Sequence, residues 1–234
     1  MRDPADELPR VTPAMLRQAD TMCPRRLNHE HESGRKLSPL GGAQFEVASR
    51  LTNDAITWHK GATETEEGFP EPSDLEPEQR AVYRAAARAY SARFGDDDIE
   101  IHDELGWTTE FEDIGVRLVC SLGIPVEHAD GRRELRQLRL AGRDLLVDDT
   151  EVRCLLLRAA DWAPDGFSIS AVDLLENTSI EYEIDVRDRI DETREWLAAR
   201  VAIIRENSNA RKTRAGADCR YCPCIPGCPQ VTRA

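Results

Sequence analysis

Apolar side chains along this chain recur at two spacings, every three or four residues in some stretches and every second residue in others, which predicts helices packed on a sheet. Thr12 and Pro13 read as an N-cap followed by proline at the first helical position, opening a helix through MLRQADTM to about Cys23. Phe45, Ala48, Leu51, Ala55 and Trp58 share one helical face, so a second helix is expected from about Ala43 to His59, closed by Gly61. A third is expected from about Glu78 to Phe94. From Ile99 the period shortens to two: IEIHDELGW, EFEDIGVRLVCSLGI and, past a turn at Asp130 and Gly131, ELRQLRLAG read as a meander of strands. Glu151 to Ala160 is a short apolar helix, and FSISAVDLLEN and SIEYEID add two strands at the sheet edge. From Asp185 to about Glu206, Val186, Ile190, Trp196, Leu197, Val201 and Ile204 line one face of a long amphipathic helix.

Two stretches fall outside this pattern. Residues 1 to 10 read as a disordered leader, and 62 to 77 (ATETEEGFPEPSDLEP) as an exposed acidic linker inside a single domain spanning 11 to 234. After the last helix, residues 208 to 234 form a polar tail rich in cysteine, glycine and proline that has no means of burying itself.

With 234 residues, 40% of them hydrophobic, the chain is long enough for a real core. No run approaches the roughly 20 apolar residues of a membrane span, and MRDPADELPR lacks the apolar stretch of a secretory signal, so the expected location is the cytoplasm. In that reducing compartment the seven cysteines point to metal ligation rather than to a disulfide framework. The formal charge of −13 repels phosphate, so any contact with DNA must be a local basic patch.

The tail reads C-x2-C-x-C-x3-C from Cys219 to Cys228, and clustered thiolates select zinc or an iron–sulfur centre. From the residues alone three states stay open: a local zinc site on Cys219, Cys222, Cys224 and Cys228, unligated thiols, and a site that recruits Cys23, where Pro24 ends the first helix. Cys120 and Cys154 sit in apolar strand and helix contexts and read as core thiols. His29 and His31 alternate with Glu30 and Glu32 as on a solvated face, while His59, His102 and His128 stand alone.

A helix ending in CPRR near the start, paired with C-x2-C-x5-C after a long helix near the end, resembles the iron–sulfur subgroup of the RecB-type, or PD-(D/E)XK, nuclease superfamily. The resemblance implies a restriction-endonuclease-like α/β fold with a mixed central sheet flanked by helices. It also implies that Cys23, Cys219, Cys222 and Cys228 hold a [4Fe-4S] cluster joining the two termini, with Cys224 a bystander. In that family, G-x-x-D on one strand and D/E-x-K on the next hold the catalytic metal. The matching hairpin here, SLGIPVEHADGRRELRQLRLAGR, has Val126 at the aspartate, Gln137 at the acidic position and Arg139 at the lysine. A helical histidine of the family has Phe45 or Glu46 near its place. An amide brings no charge to Mg²⁺ and a guanidinium does not act as a base, so no catalytic residue is assigned. A shifted register drawing on Glu127, Asp130 or Glu134 would still meet no lysine between Lys60 and Lys212.

Basic residues gather beside the cysteines: Arg25, Arg26, Arg35 and Lys36 after Cys23, and Arg211, Lys212, Arg214 and Arg220 in the tail, with Tyr221 as a stacking face. Arg132, Arg136 and Arg139 are expected to share one sheet face, with Arg133 pointing away, and to line the former cleft. The reading is therefore a cluster-bearing protein that binds DNA without cutting it, in repair or recombination, with no membrane role and with a place for a protein partner in a repair complex. The alternatives are an active nuclease with a displaced site, and a cluster-bearing interaction or redox-sensing protein.

Overall fold

The computed structural model describes residues 8–17, 19, 43–61, 69–70, 72–106, 108–140 and 147–207. It is a mixed α/β arrangement of two mixed sheets flanked by helices. The elements run β1 (Arg10–Val11), α1 (Pro13–Arg17), α2 (Ala43–His59), α3 (Pro77–Phe94), β2 (Ile99–Ile101), a 3-10 turn (Asp103–Leu105), β3 (Thr108–Phe111), β4 (Val116–Val119) and β5 (Ile124–His128). They continue through β6 (Arg133–Arg139), α4 (Asp149–Ala159), β7 (Phe167–Asp173), β8 (Thr178–Ile184) and α5 (Ile190–Asn207). No helix among the described residues is long and apolar enough to cross a membrane.

The strands do not form one meander. β2, β5, β6, β7 and β8 lie in that order in the main sheet, whereas β3 and β4 join β1 in a second sheet ordered β1-β4-β3. The chain changes sheets because β4 is already paired on both sides, antiparallel to β3 and parallel to the N-terminal β1, so β5 must pair elsewhere. Arg10 thereby belongs to a strand, and the expected leader is shortened.

The main sheet has a core on each face. Leu135, Ile169 and Ala171 face α4, α5 and the small sheet, where Leu155, Leu156, Leu197 and Val201 are buried. Leu138, Val172, Ile124 and Val126 face α2 and α3, against Leu51, Ala55, Tyr83 and Tyr90. β6 and β7 run parallel and are joined through α4, which needs the length of a crossover helix. Of the two strands expected at the sheet edge, β7 lies between β6 and β8 and is buried on both faces, so of this pair β8 alone is at an edge.

Several local signals act as their chemistry predicts. The Thr12 hydroxyl accepts the Met15 amide at 3.3 Å, capping α1. The Asp130-Gly131 turn closes the β5–β6 hairpin, with Gly131 in the left-handed region and its amide donating to the His128 carbonyl at 2.8 Å. The stretch expected as an exposed linker is instead packed at its end: Leu75 is buried, and the Phe69 ring lies 5.2 Å from that of Trp58 and 5.7 Å from that of Tyr90. Its few apolar residues cover the ends of α2 and α3. α5 begins at Ile190 rather than at 185, because the Asp185 carboxylate accepts the Arg187 amide at 3.0 Å and holds a turn first.

Asp148 caps the N-terminus of α4, its carboxylate accepting the Glu151 amide at 3.0 Å. Asp148→Ala is expected to cost about 1 kcal/mol, through loss of this cap, as a lower urea midpoint with unchanged slope.

Candidate functional site

The hairpin singled out by the G-x-x-D resemblance is β5–β6, and its register decides which residues can meet. Ile124 is opposite Arg136 and Val126 opposite Glu134, so even-numbered residues on both strands share the face covered by α2 and α3. Gln137 and Arg139, odd-numbered, point to the α4 face. The Gln137 amide donates to the Leu122 carbonyl at 2.6 Å, and Arg139 donates to Glu151 of α4 at 2.7 Å. The position of the family's aspartate and those of its acidic residue and lysine therefore lie on opposite faces of this sheet. Among the described residues, no group of three or more His, Cys, Asp or Glu side chains is placed to hold a metal ion.

The same register corrects the arginine assignment. Arg132 and Arg136 share parity; Arg139 is on the other face, with Arg133. Arg132 is exposed at the turn and bonded to Asp130 at 2.8 Å. Arg136 is only 1% exposed and lies inside the α2–α3 core, so it is not offered to a phosphate backbone. Its guanidinium donates to both oxygens of Glu134 at 3.1 Å and to Asp97 at 3.0 Å, and stacks 3.7 Å from the Phe94 ring centroid. Glu134 is bonded in turn to His128 at 2.9 Å, and the Tyr90 hydroxyl lies 2.9 Å from the His59 ring nitrogen.

Glu134, Arg136, Tyr90 and His59 are shifted as their surroundings dictate. Burial pushes the Glu134 carboxyl up, but hydrogen bonds and charge from Arg136, with Ser170 and His128 also bonded, outweigh it and leave the group below its usual range. Burial likewise opposes the charge of Arg136, and Glu134 overrides it, raising the guanidinium further. Burial pushes the Tyr90 phenol up to about 12 despite Arg136, and burial followed by the Arg136 charge lowers His59. The arrangement is an ionic core in which the Arg136 guanidinium and the Glu134 carboxylate engage each other and their neighbours.

A cleft of about 270 Å³ opens beside Gly123. It is lined by Asn53 and Thr57 of α2, His102 and Asp103 before β3, Ser121 and Pro125. The Ser121 hydroxyl accepts the Gly123 amide at 3.2 Å, and His102 is bonded through its Nδ1 to Glu104 at 2.9 Å. Lys60, at the end of α2, donates to Asp103, which holds that carboxyl below its usual range. The carboxylate on the cleft wall is thus paired with a lysine outside the lining, a pairing that reading along β5 and β6 misses. No periodic signal marks it, since Lys60 and Asp103 are brought together only when α2 packs on β2. The cue in the sequence was Gly123 alone.

Cys120 and Cys154 are buried free thiols, as expected of core residues; burial pushes Cys120 up to about 12 and raises Cys154 further. The proposed ligands Cys23, Cys219, Cys222 and Cys228 lie outside the described residues, as do Arg25, Arg26, Arg35, Lys36, Arg211, Lys212, Arg214, Arg220 and Tyr221.

No protein family's sequence profile matches the chain, and no curated protein matches it. Among solved structures it is similar to the crystal structure of SSO0001, at 12% identity over 99% of this chain and 89% of that one, with a TM-score of 0.42. Likeness at that TM-score defines no shared fold. The described residues form a mixed α/β protein with two mixed sheets flanked by helices.

Proposed function

We propose that this chain is an iron–sulfur protein of RecB-type nuclease ancestry that binds DNA without cutting it, acting in repair or recombination. The observation that carries the reading is the cysteine pattern: Cys23 near the start and C-x2-C-x5-C on Cys219, Cys222 and Cys228 near the end, around a [4Fe-4S] cluster. In support, burial and a raised pKa make Cys120 and Cys154 poor ligands, so metal chemistry falls to the other five thiols. The cluster would supply a cross-link between the termini. DNA contact then falls to the basic residues flanking the cysteines, together with Arg132. Arg136 and Arg139 are withdrawn from it, since both are engaged inside the fold. The absence of cutting is supported by Val126, Gln137 and Arg139 at the nuclease positions and by their separation across the sheet.

The displaced-site alternative has one observation in its favour, Asp103 on the wall of the cleft beside Gly123, bonded to Lys60. The experiment therefore has three readouts. Anaerobically purified protein should contain about four iron and four sulfide per chain and absorb near about 400 nm, lost in Cys23→Ala and kept in Cys224→Ala. Stoichiometric zinc in a colourless protein overturns the cluster. DNA binding should weaken steeply with salt, and no shift at low salt removes the DNA reading. Labelled DNA with Mg²⁺ or Mn²⁺ should stay intact; cleavage abolished by Asp103→Asn establishes the displaced site instead.

A further inference from the structure

The main sheet ends differently on its two sides. β2 closes one edge with three residues, too short to template another strand. β8 closes the other with seven, paired residue for residue with β7 and carrying no strand on its outer side among the described residues. It has neither the proline nor the lysine that commonly blunts such an edge. An open ladder of this length is a ready template for one more strand.

Alternation gives β8 two chemically distinct faces. Glu181 and Glu183 lie on one, opposite Ser170 and Ser168 of β7, and both are exposed. Two cations stand near this face: Arg132, itself bonded to Asp130, interacts with Glu181, and Arg93 of α3 donates to the Ser179 hydroxyl at 2.7 Å. Ile180 and Tyr182 lie on the other face; Ile180 is 37% exposed, and the half-buried Tyr182 has a shielded hydroxyl without a hydrogen-bond partner. Leu175, in the turn before β8, is 38% exposed. Among the described residues, Leu175 and Ile180 are the exposed large hydrophobics, and one hairpin carries both.

We infer that β8 is a docking edge for an extended peptide strand in which basic and apolar residues alternate. Main-chain hydrogen bonds to the outer side of β8 supply the register-independent part of the affinity. Lysine or arginine opposite Glu181 and Glu183, and apolar side chains opposite Ile180 and Tyr182, select the partner. A second copy of this chain is a poor occupant: antiparallel β8 pairing sets glutamates among glutamates, between chains of formal charge −13 each. The same acids keep this edge from DNA, so the inference stands apart from the DNA reading.

The test titrates the full-length protein with a short fluorescein-labelled peptide of alternating lysine and valine, using a peptide of equal composition with its lysines grouped as control. The alternating peptide should bind more tightly, and amides of residues 178–184 should gain hydrogen-exchange protection on binding. Glu181→Lys with Glu183→Lys should weaken binding about tenfold or more, because two attractive cross-strand pairs become repulsive. Asp191→Lys with Glu195→Lys, an equal charge change on exposed positions of α5, should leave the affinity of the alternating peptide close to that of the wild type. Equal weakening by both double variants, or binding without protection of β8, overturns the inference. So does a free protein that sediments as a dimer with its β8 amides already protected, since a second copy then holds the edge.

Discussion

Arg136→Ala is expected to lose about 3–5 kcal/mol of folding stability, because it strands the Glu134 carboxylate in the α2–α3 core without its cation. Two hydrogen bonds to Glu134, one to Asp97 and the stack on Phe94 vanish together. The loss reflects the stranded charge more than the intrinsic strength of the pair. Converting both partners, as Glu134→Gln with Arg136→Met, should therefore cost less than Arg136→Ala alone, with the shortfall read as coupling in a double-mutant cycle. Urea unfolding at neutral pH provides the comparison. Should the single variant prove no worse than the double, the ionic core is not a coupled unit.

The network also sets a pH dependence. Glu134 has a folded pKa below its unfolded value, so its contribution is full above the unfolded value of about 4.3 and disappears as pH falls through the lower folded one. His59 is lowered too, and a base held neutral by the fold costs stability as pH falls below its unfolded value of about 6.5. The wild type should thus weaken progressively on acidification. In Arg136→Ala, burial no longer has an opposing cation, and the Glu134 pKa moves up. The penalty of the substitution should then begin to shrink as pH falls through the variant's raised Glu134 value, above the unfolded value of about 4.3, and go on shrinking as the wild type loses its own contribution below it.

Gly123→Ala is the second large effect, expected at about 2–5 kcal/mol from a left-handed backbone together with a steric clash. Gly123 has φ of +74°, and a Cβ there would stand 2.3 Å from the Arg136 carbonyl oxygen and 2.7 Å from the Gln137 amide nitrogen. The carbonyl belongs to β6, so it cannot retreat without dragging the ladder, and the Gln137–Leu122 bond would be displaced as well. Gly131 supplies the control. Its φ is +84° but a Cβ would meet nothing within 4 Å, so Gly131→Ala should show only the backbone share, about 1–2 kcal/mol. Equal losses at the two sites would show that the close approach of β5 and β6 at Gly123 contributes nothing.

The α2 helix and the hairpin turn were legible residue by residue, whereas α1, expected to about residue 23, spans Pro13–Arg17 and α5 starts at Ile190 rather than at 185. Leu51, Ala55 and Trp58 recur at the helical period, and the observed α2 spans Ala43–His59 as that period predicts. Thr12-Pro13 and Asp130-Gly131 carry their conformations in their own chemistry, a capping oxygen and a residue that tolerates positive φ. Sheet membership was not legible. Nothing local in VRLV or IPVEH tells β4 to pair with β1 or β5 to pair with β2, because edge-to-edge hydrogen bonds are the same for any partner.

The charged residues divide along the same line. RELR places Glu134 and Arg136 on one face of a strand by period alone, yet whether that face meets water or a core depends on α2 and α3 arriving from more than thirty residues upstream. The Asp103–Lys60 pair likewise exists only because α2 lies against β2. Patterns whose energy is settled within a few residues can be read directly from the chain. Pairing, burial of charge and the lining of the cleft are settled by segments remote in sequence, and only their packing decides them.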